Sequence, residues 1–388
     1  LMEALDLVGE EPSPERARLL ARLSMALLIP AGELRPDAKT GYRYAEEAAR
    51  IAAEIGDPRL IADVARSTLY IDSFLNAVDP ETRLRQANSL REMGRCLGDP
   101  ILECVALGWI YGSYMLNFDT AAAAAALDEY SAIADQTHRA MDRYFAVGWR
   151  VSFLLYTGEI DAAQRLNSTA VEEFGHEGWP IVFQAWAATE FALRRWRGGL
   201  EEILPVVEAN ATEPSNGEQW QVALAYILAE VGRVEEARAA LDRVDVPGLT
   251  DFGTAQLQFC LVAMTASVVG DERAAQEAVA YLATRENQNV TVGFTAFLGS
   301  ASYFLAVAET LLGRFEAGEH HFRRAMADNL RGGARPWLAE TQFEFAKFLR
   351  ARGDSSGEAE VLLAESLATC EELVMPRLAE RVRELMAS

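Results

Sequence analysis

Lysine is almost absent from this sequence, and acidic residues far outnumber basic ones. The 388 residues contain two lysines, Lys39 and Lys347, and 36 basic side chains stand against 58 acidic ones, giving a formal net charge of −22. Nucleic acids and anionic membranes are both bound through a basic footprint. The charge therefore predicts that this segment binds neither nucleic acid nor a membrane, and solubility is the simplest role for the acidic excess.

Cysteine and histidine are also scarce. No Cys-x-x-Cys pair occurs among the four widely separated cysteines, Cys96, Cys104, Cys260 and Cys370. Neither a zinc knuckle nor a disulfide framework is therefore expected. The adjacent His320 and His321 would point about 100° apart on a helix and could not share a metal ion on one face. We expect no metal site and a reducing, cytoplasmic environment.

The motifs of common enzymes are missing as well. A phosphate-binding loop needs glycine directly before its lysine and another glycine five residues earlier, but here Ala38 precedes Lys39 and Glu33 holds the earlier position. No Gly-x-Ser-x-Gly motif occurs. Neighbouring carboxylates such as Glu235 and Glu236 lie on amphipathic helix faces, where water covers them. We expect a protein that is not an enzyme and uses no cofactor.

No secretory signal is recognisable at the start of the sequence, where Leu1 takes the place of methionine. We therefore expect the chain to be a fragment of a longer protein. Two uncharged stretches, 252–270 and 287–308, are long enough to cross a bilayer. Charged amphipathic helix follows each of them, so both are predicted to be core helices instead.

The sequence does contain a recurring glycine turn between helix-forming segments. Ala, Leu, Glu and Arg dominate and all favour helix, so we expect an all-α fold without a β-sheet and with more than about 70% helix. Glycine ends a helix in the left-handed conformation, and a period near 40 residues indicates stacked helix pairs. After a degenerate copy at Phe118-Asp119, the turn recurs every 34 to 43 residues, at Gly158, Gly198, Gly232, Gly270, Gly313 and Gly353.

Small and large side chains recur at fixed distances from these glycines. Seven residues before the last four stand Ala225, Ala263, Ala306 and Ala346. Five residues after come Ala237, Ala275 and Gly318, and nine after come Leu241, Val279, Phe322 and Leu362. Small side chains let antiparallel helices approach closely. This pattern predicts tetratricopeptide-like helix pairs that stack as an α-α superhelix, a right-handed solenoid.

The repeats divide the chain into three predicted parts. Residues 1–40 are expected to form an N-terminal helix, 14–28, and a loop that contains Pro30 and Pro36. Residues 41–375 are expected to form the solenoid of about eight helix pairs, and residues 376–388 a C-terminal capping helix. Within the solenoid, residues 205–217 are expected to be an irregular connection.

Two rows of residues are predicted to share the inward face of successive first helices. Six residues before the turn lie Gly112, Ser152, Tyr226, Met264, Val307 and Lys347, and ten before it lie Gly108, Gly148, Val222, Cys260, Tyr303 and Phe343. Small and aromatic residues in such rows suit a binding groove. The candidate groove residues are Tyr226, Tyr303, Val222, Met264, Phe343 and Lys347. The two tyrosines are the best candidates, because each combines an apolar ring with a polar tip. The alternative is that both rows only pack against neighbouring helices.

Several strings carry a resemblance to a known family: Asn289-Val290-Thr291-Val292-Gly293, Phe297-Leu298-Gly299-Ser300, Leu312-Gly313-Arg314, His321-Phe322, Gly333-Ala334-Arg335-Pro336-Trp337-Leu338-Ala339 and Met375-Pro376-Arg377-Leu378-Ala379. They resemble the C-terminal helical-repeat region of actinobacterial signalling proteins of the STAND ATPase type. Such proteins join a nucleotide cyclase or transcriptional activator domain to an NTPase and then to tetratricopeptide-like repeats, and LuxR-type relatives end in a helix-turn-helix. This sequence shows none of those other domains. The resemblance therefore implies a sensor or autoinhibitory arm and carries over no catalytic residue.

Two functions follow as hypotheses. The first is a regulatory or sensor module that binds a small-molecule inducer, a peptide or a protein on its concave face and reports to an NTPase of the same polypeptide by a population shift. The second is a free-standing scaffold for protein–protein interaction through the same groove. An enzyme would be a third reading, but no motif supports one.

Overall fold

The computed structural model describes residues 1–28, 38–74, 79–175, 180–213, 218–251, 255–291 and 296–388. Helices account for 83% and strands for 2%, which confirms the predicted all-α class and helix content. Within the described ranges, no helix combines the length and the apolarity that crossing a bilayer requires. The predicted loop around Pro30 and Pro36 lies outside these ranges.

Contacts divide the chain into two compact units, and the first comprises Leu1–Tyr114 and Ala121–Ala146. Its helices are α1 (Met2–Val8), α2 (Pro14–Leu28), α3 (Ala38–Ile55), α4 (Pro58–Phe74), α5 (Pro80–Leu97), most of α6 (Pro100–Leu116) and α7 (Thr120–Thr137), and the start of α8 (Ala140–Thr157). Helix α2 has its predicted bounds. It packs on α3 and α4 and buries Leu20, Ile51 and Leu60, so apolar burial holds this three-helix core together.

The second unit comprises Met115–Thr120 and Val147–Ser388. After the end of α8 it contains α9 (Ile160–Phe174), α10 (Pro180–Arg197), α11 (Leu204–Thr212), α12 (Glu218–Glu230), α13 (Val234–Leu241), α14 (Ala255–Val269), α15 (Glu272–Leu282), α16 (Ala301–Leu311), α17 (Phe315–Arg331), α18 (Arg335–Ala351), α19 (Glu358–Glu372) and α20 (Pro376–Ala387). From α12 to α19, consecutive helices pack as pairs, and α14 also contacts both α12 and α16.

The glycine turns and the alanine positions are as predicted. All six turn glycines, from Gly158 to Gly353, have φ between 69° and 96°, the left-handed conformation that ends a helix. The degenerate copy Phe118 adopts the same region with φ 61°. The four predicted alanines are completely buried. A Cβ added to Gly318 would lie 3.5 Å from the carbonyl oxygen of Ala306, so these two positions meet where α16 and α17 cross.

The prediction of uninterrupted helix and no sheet is wrong at residues 289–300. Strand β1 (Asn289–Thr291) pairs antiparallel with strand β2 (Phe297–Ser300), with an irregular register. Helix α16 begins only afterwards, at Ala301, where the Ser300 side chain accepts from the amide of Ser302. Valine and threonine favour strands. Gly299 has φ 79°, a conformation that strains any residue with a side chain.

Side-chain hydrogen bonds hold this hairpin in the second unit. Asn289 Nδ2 donates to the carbonyl of Met115 at 3.0 Å, and Ser300 Oγ donates to Asp328 at 3.1 Å. Asn329 Oδ1 accepts from the amide of Ser300 at 2.9 Å. A two-stranded hairpin is marginal on its own, so these buried bonds explain why it replaces the first part of the predicted core helix.

The predicted irregular connection at 205–217 is also wrong for most of its length. A short 3-10 turn, Leu200–Ile203, leads directly into α11, which ends at Thr212. Pro205 lies in the first turn of α11, where a missing amide donor costs nothing. Residues 214–217 lie outside the described chain.

Candidate functional site

Five of the six predicted groove residues are buried in the second unit. Val222, Tyr226, Met264, Tyr303 and Phe343 are each at most 8% exposed. Lys347 is exposed and lies 3.1 Å from Glu344. The predicted inward faces are therefore surfaces that pack in this structure, and ligand contact by these residues stays a prediction.

The two tyrosines meet at a buried ion pair between Arg195 of α10 and Glu340 of α18. The guanidinium donates to both carboxylate oxygens, Nη1 to Oε2 at 2.8 Å and Nη2 to Oε1 at 2.7 Å. Its third donor, Nε, reaches the hydroxyl of Tyr226 at 2.6 Å. The hydroxyl of Tyr303 lies 3.5 Å from Glu340 Oε1 and donates to it. The arginine side chain is 5% exposed and the glutamate 3%.

Helix periodicity places Glu340 on the predicted row. On α18, Glu340 lies three residues before Phe343 and four before Glu344, and Lys347 follows four and three residues after these two. These spacings place the four residues along one side of the helix. Sequence reasoning missed Glu340 because the rows were counted for two turns only. Glu340 lies one further turn toward the start of α18. On α10, Arg195 lies one turn after Ala192, the residue that stands six positions before Gly198.

Helix α20 adds two arginines to this pair. Arg381 lies 3.0 Å from Glu344 and 3.9 Å from Glu340. Arg377 lies 3.3 Å from the carboxylate of Glu230, the last residue of α12, and also donates to its carbonyl. We call Arg195, Glu230, Glu340, Glu344, Arg377 and Arg381 the charged cluster. It holds three charges of each sign and joins α10 and α12 to α18 and α20, which come much later in the sequence.

Aromatic rings cover the charges. The guanidinium carbon of Arg195 lies 4.9 Å from the ring centre of Trp337, and that of Arg381 lies 4.7 Å from Phe343. Trp337 also meets Tyr303 edge-on with ring centres 6.2 Å apart. A cation over an aromatic face gains more when water is excluded, so these rings stabilise arginines that burial would otherwise penalise.

Burial and ion pairing shift the pKa of Glu340 in opposite directions. Burial alone would raise the pKa of Glu340, but the positive charges of Arg195 and Arg381 outweigh it and hold the pKa below its ordinary value. Burial raises the pKa of the Tyr226 and Tyr303 hydroxyls. At neutral pH Glu340 is therefore an ionised carboxylate between arginines, and the phenols of Tyr226 and Tyr303 are protonated.

The arrangement suits holding helices together better than chemistry. Each charge of the cluster has a partner of opposite sign, so none is poised as a nucleophile or a proton donor. One donor is left over, because Arg377 Nη1 is buried without a hydrogen-bond partner. Across the residues that the structure describes, no three His, Cys, Asp or Glu side chains are grouped so that they could hold a metal ion.

Comparison with known proteins adds no family assignment. No protein-family model matches this chain, and a search of curated proteins gives no match either.

Proposed function

We propose that this chain is a non-enzymatic regulatory repeat module, built as a right-handed superhelix of tetratricopeptide-like pairs, that binds a ligand or protein through the inner face of its first helices. The charged cluster is the observation that carries the proposal. It lies on the face that the repeat register predicts for binding, and it links four helices through long side chains.

A cluster of this kind fits a regulatory part better than a static core. A buried ion pair often stabilises a fold no more than apolar residues of the same size, and its best-attested use is to specify one arrangement against another. Helices held by paired charges can separate when a ligand supplies replacement partners. A ligand with higher affinity for one arrangement shifts the population toward it.

The resemblance supports a sensor arm that reports to an NTPase of the same polypeptide. The second candidate, a free-standing interaction scaffold, would use the same face. The coding sequence that flanks this chain separates the two. An NTPase domain encoded upstream in the same reading frame would support the sensor arm, and an independent open reading frame would support the scaffold.

A ligand screen tests the inner face directly. The 388-residue chain would be screened by thermal shift against peptides and small-molecule inducers, and hits would be titrated by calorimetry into the double variant Tyr226→Phe/Tyr303→Phe. Removal of both hydroxyls should weaken binding at least tenfold, because each hydroxyl is proposed to contact the ligand that enters the network around Arg195 and Glu340.

Tyr281→Phe is the matched control. Tyr281 lies on α15, a second helix, where its ring stacks on Phe259 with centres 4.3 Å apart. The same substitution there should leave hit affinity unchanged. A screen without hits, or hits that bind the double variant as well as the control, would contradict the proposal.

A further inference from the structure

We infer that α20 occupies a binding surface for a basic amphipathic helix, and that a partner helix with two arginines one turn apart binds this surface by displacing α20. The inference rests on the proposed function and specifies the partner chemistry of the same face. Its three supports are the charge of the surface, the pattern of α20 itself and the geometry of the turn before it.

The surface that α20 covers is acidic when the charges of α20 itself are left out. Glu230, Glu340 and Glu344 remain, opposed by Arg195 inside the cluster and by the exposed Lys347. Such a set attracts cations and repels anions. Phosphorylated or nucleotide ligands are therefore disfavoured, and a cationic protein segment is favoured.

Helix α20 shows which cationic segment fits. Arg377 and Arg381 are four residues apart and both reach glutamates of the cluster, while Leu378 and Val382, also four apart, are buried beside them. Arg383 faces elsewhere and pairs with Glu371 at an exposed position. The motif that the surface accepts is thus two arginines one turn apart, with two aliphatic residues one turn apart on the neighbouring side of the same helix.

Two features make α20 displaceable. Val374, in the turn before α20, has φ 55° and is more than half exposed. A β-branched residue in the left-handed region is strained, and other turns of this chain place glycine there. In addition, Arg377 Nη1 is buried without a partner, so the closed arrangement leaves one donor unpaired. Both penalties are relieved when α20 leaves.

A labelled peptide with the sequence of residues 375–388 serves as the probe, measured by fluorescence anisotropy against the full chain. Arg377→Gln/Arg381→Gln weakens the chain's own α20 and should raise peptide affinity at least tenfold over wild type. Arg383→Gln, on the same helix outside the cluster, should bind as wild type does. A peptide with glutamine at its two cluster positions should lose the binding, and one with glutamine at the 383 position should keep it.

Val374→Gly should strengthen the packing of α20, whereas Arg377→Gln/Arg381→Gln weakens it. The Val374→Gly chain is expected to fold at least as well as wild type. Glycine removes the strain of the turn, favours the closed arrangement and should lower peptide affinity several-fold. Equal affinity in wild type, Arg377→Gln/Arg381→Gln and Val374→Gly, or binding that ignores the peptide's arginines, would overturn the inference. Circular dichroism melts would establish that each variant is folded.

Light scattering distinguishes a separate partner from a second copy of the chain. The wild-type chain should remain at its monomer mass of 42.7 kDa. A dimer that disappears in Arg377→Gln/Arg381→Gln would mean that copies exchange α20, and would overturn the assignment to a separate partner. A screen ligand that depends on Tyr226 and Tyr303, found together with no peptide binding, would overturn this inference and leave the proposed function in place.

Discussion

Arg195 and Glu340 form two hydrogen bonds with each other where almost no water reaches. Replacing either residue alone should therefore destabilise the fold. Removing one partner of a buried pair typically costs about 3–5 kcal/mol, because an uncompensated charge stays behind. Arg195→Leu should therefore destabilise the chain by about that much, and Arg195→Leu/Glu340→Leu should recover most of the loss. Urea denaturation of the wild type, both single variants and the double variant measures this coupling.

An exposed pair supplies the comparison. Arg50 and Glu54 lie four residues apart on α3 with side chains 55% and 51% exposed, and such helix pairs contribute about 0.3–0.5 kcal/mol. The same leucine cycle there should show little coupling. If the effects at Arg195 and Glu340 were simply additive, the two residues would not form the interdependent pair that the geometry indicates.

The lowered pKa of Glu340 also predicts a dependence of stability on pH. A carboxylate whose folded-state pKa is depressed contributes stability above its unfolded pKa, about 4.3, and loses it as pH falls through the folded pKa. The stability difference between wild type and Glu340→Gln should thus be constant from pH 7 to about 5 and should shrink at lower pH. Denaturation midpoints from pH 7 to 3.5 test this, and a difference independent of pH would contradict it.

At the scale of elements, the helices and their turns were predictable and the hairpin was not. Proline and the leucine pattern set the bounds of α2, and the turn glycines adopt the left-handed conformation because helix ends need it. The strands β1 and β2 contain three and four residues, too few for an alternating pattern to emerge. What stabilises them is contact with Met115, Asp328 and Asn329, which no local pattern encodes.

The same limit applies to the candidate site. Counting from the turn glycines placed Tyr226 and Tyr303 on the inward faces of first helices. Both hydroxyls do contact the Arg195–Glu340 pair. The pair itself joins residues 145 positions apart. Periodicity predicts which side of a helix is inward, but it does not predict which distant helix lies opposite. The sequence therefore left two possibilities open for the candidate groove, ligand binding or packing against neighbouring helices, and could not identify the helices that cover it.

Alanine substitutions at Gly299 and Gly313 distinguish the free-energy cost of a strained backbone from the cost of a steric clash. Both have positive φ, but a Cβ on Gly299 would lie 2.8 Å from Trp337 Cβ and 2.9 Å from Asn329 Oδ1, whereas a Cβ on Gly313 would meet nothing within 4 Å. Gly313→Ala should cost about 1–2 kcal/mol for the left-handed backbone alone. Gly299→Ala should cost about 1–3 kcal/mol more, because the hairpin and α18 must move apart. Equal shifts in the thermal midpoint would contradict the close contact.

At the scale of the whole molecule, charge is the property that most constrains the choice of partners. Most basic residues are arginines that pair with nearby acids, such as Arg323 with both Glu319 and Glu358. Pairing of this kind leaves little positive surface for an anion. The positive charges of the densest basic run, 194–197, are also paired with acids, because Arg194 pairs with Glu190 and Arg197 with Asp161.

We therefore predict that the chain does not bind duplex DNA. Phosphate contacts supply nearly all non-specific affinity for DNA, and a molecule with net charge −22 repels the duplex at long range. Anisotropy titration of labelled DNA at about 50 mM salt, where electrostatic binding is strongest, should show no binding at micromolar protein. Arg194→Gln/Arg197→Gln should leave that result unchanged. Micromolar binding that weakens steeply with added salt and falls in this variant would show that the 194–197 run forms a basic surface despite its acidic partners.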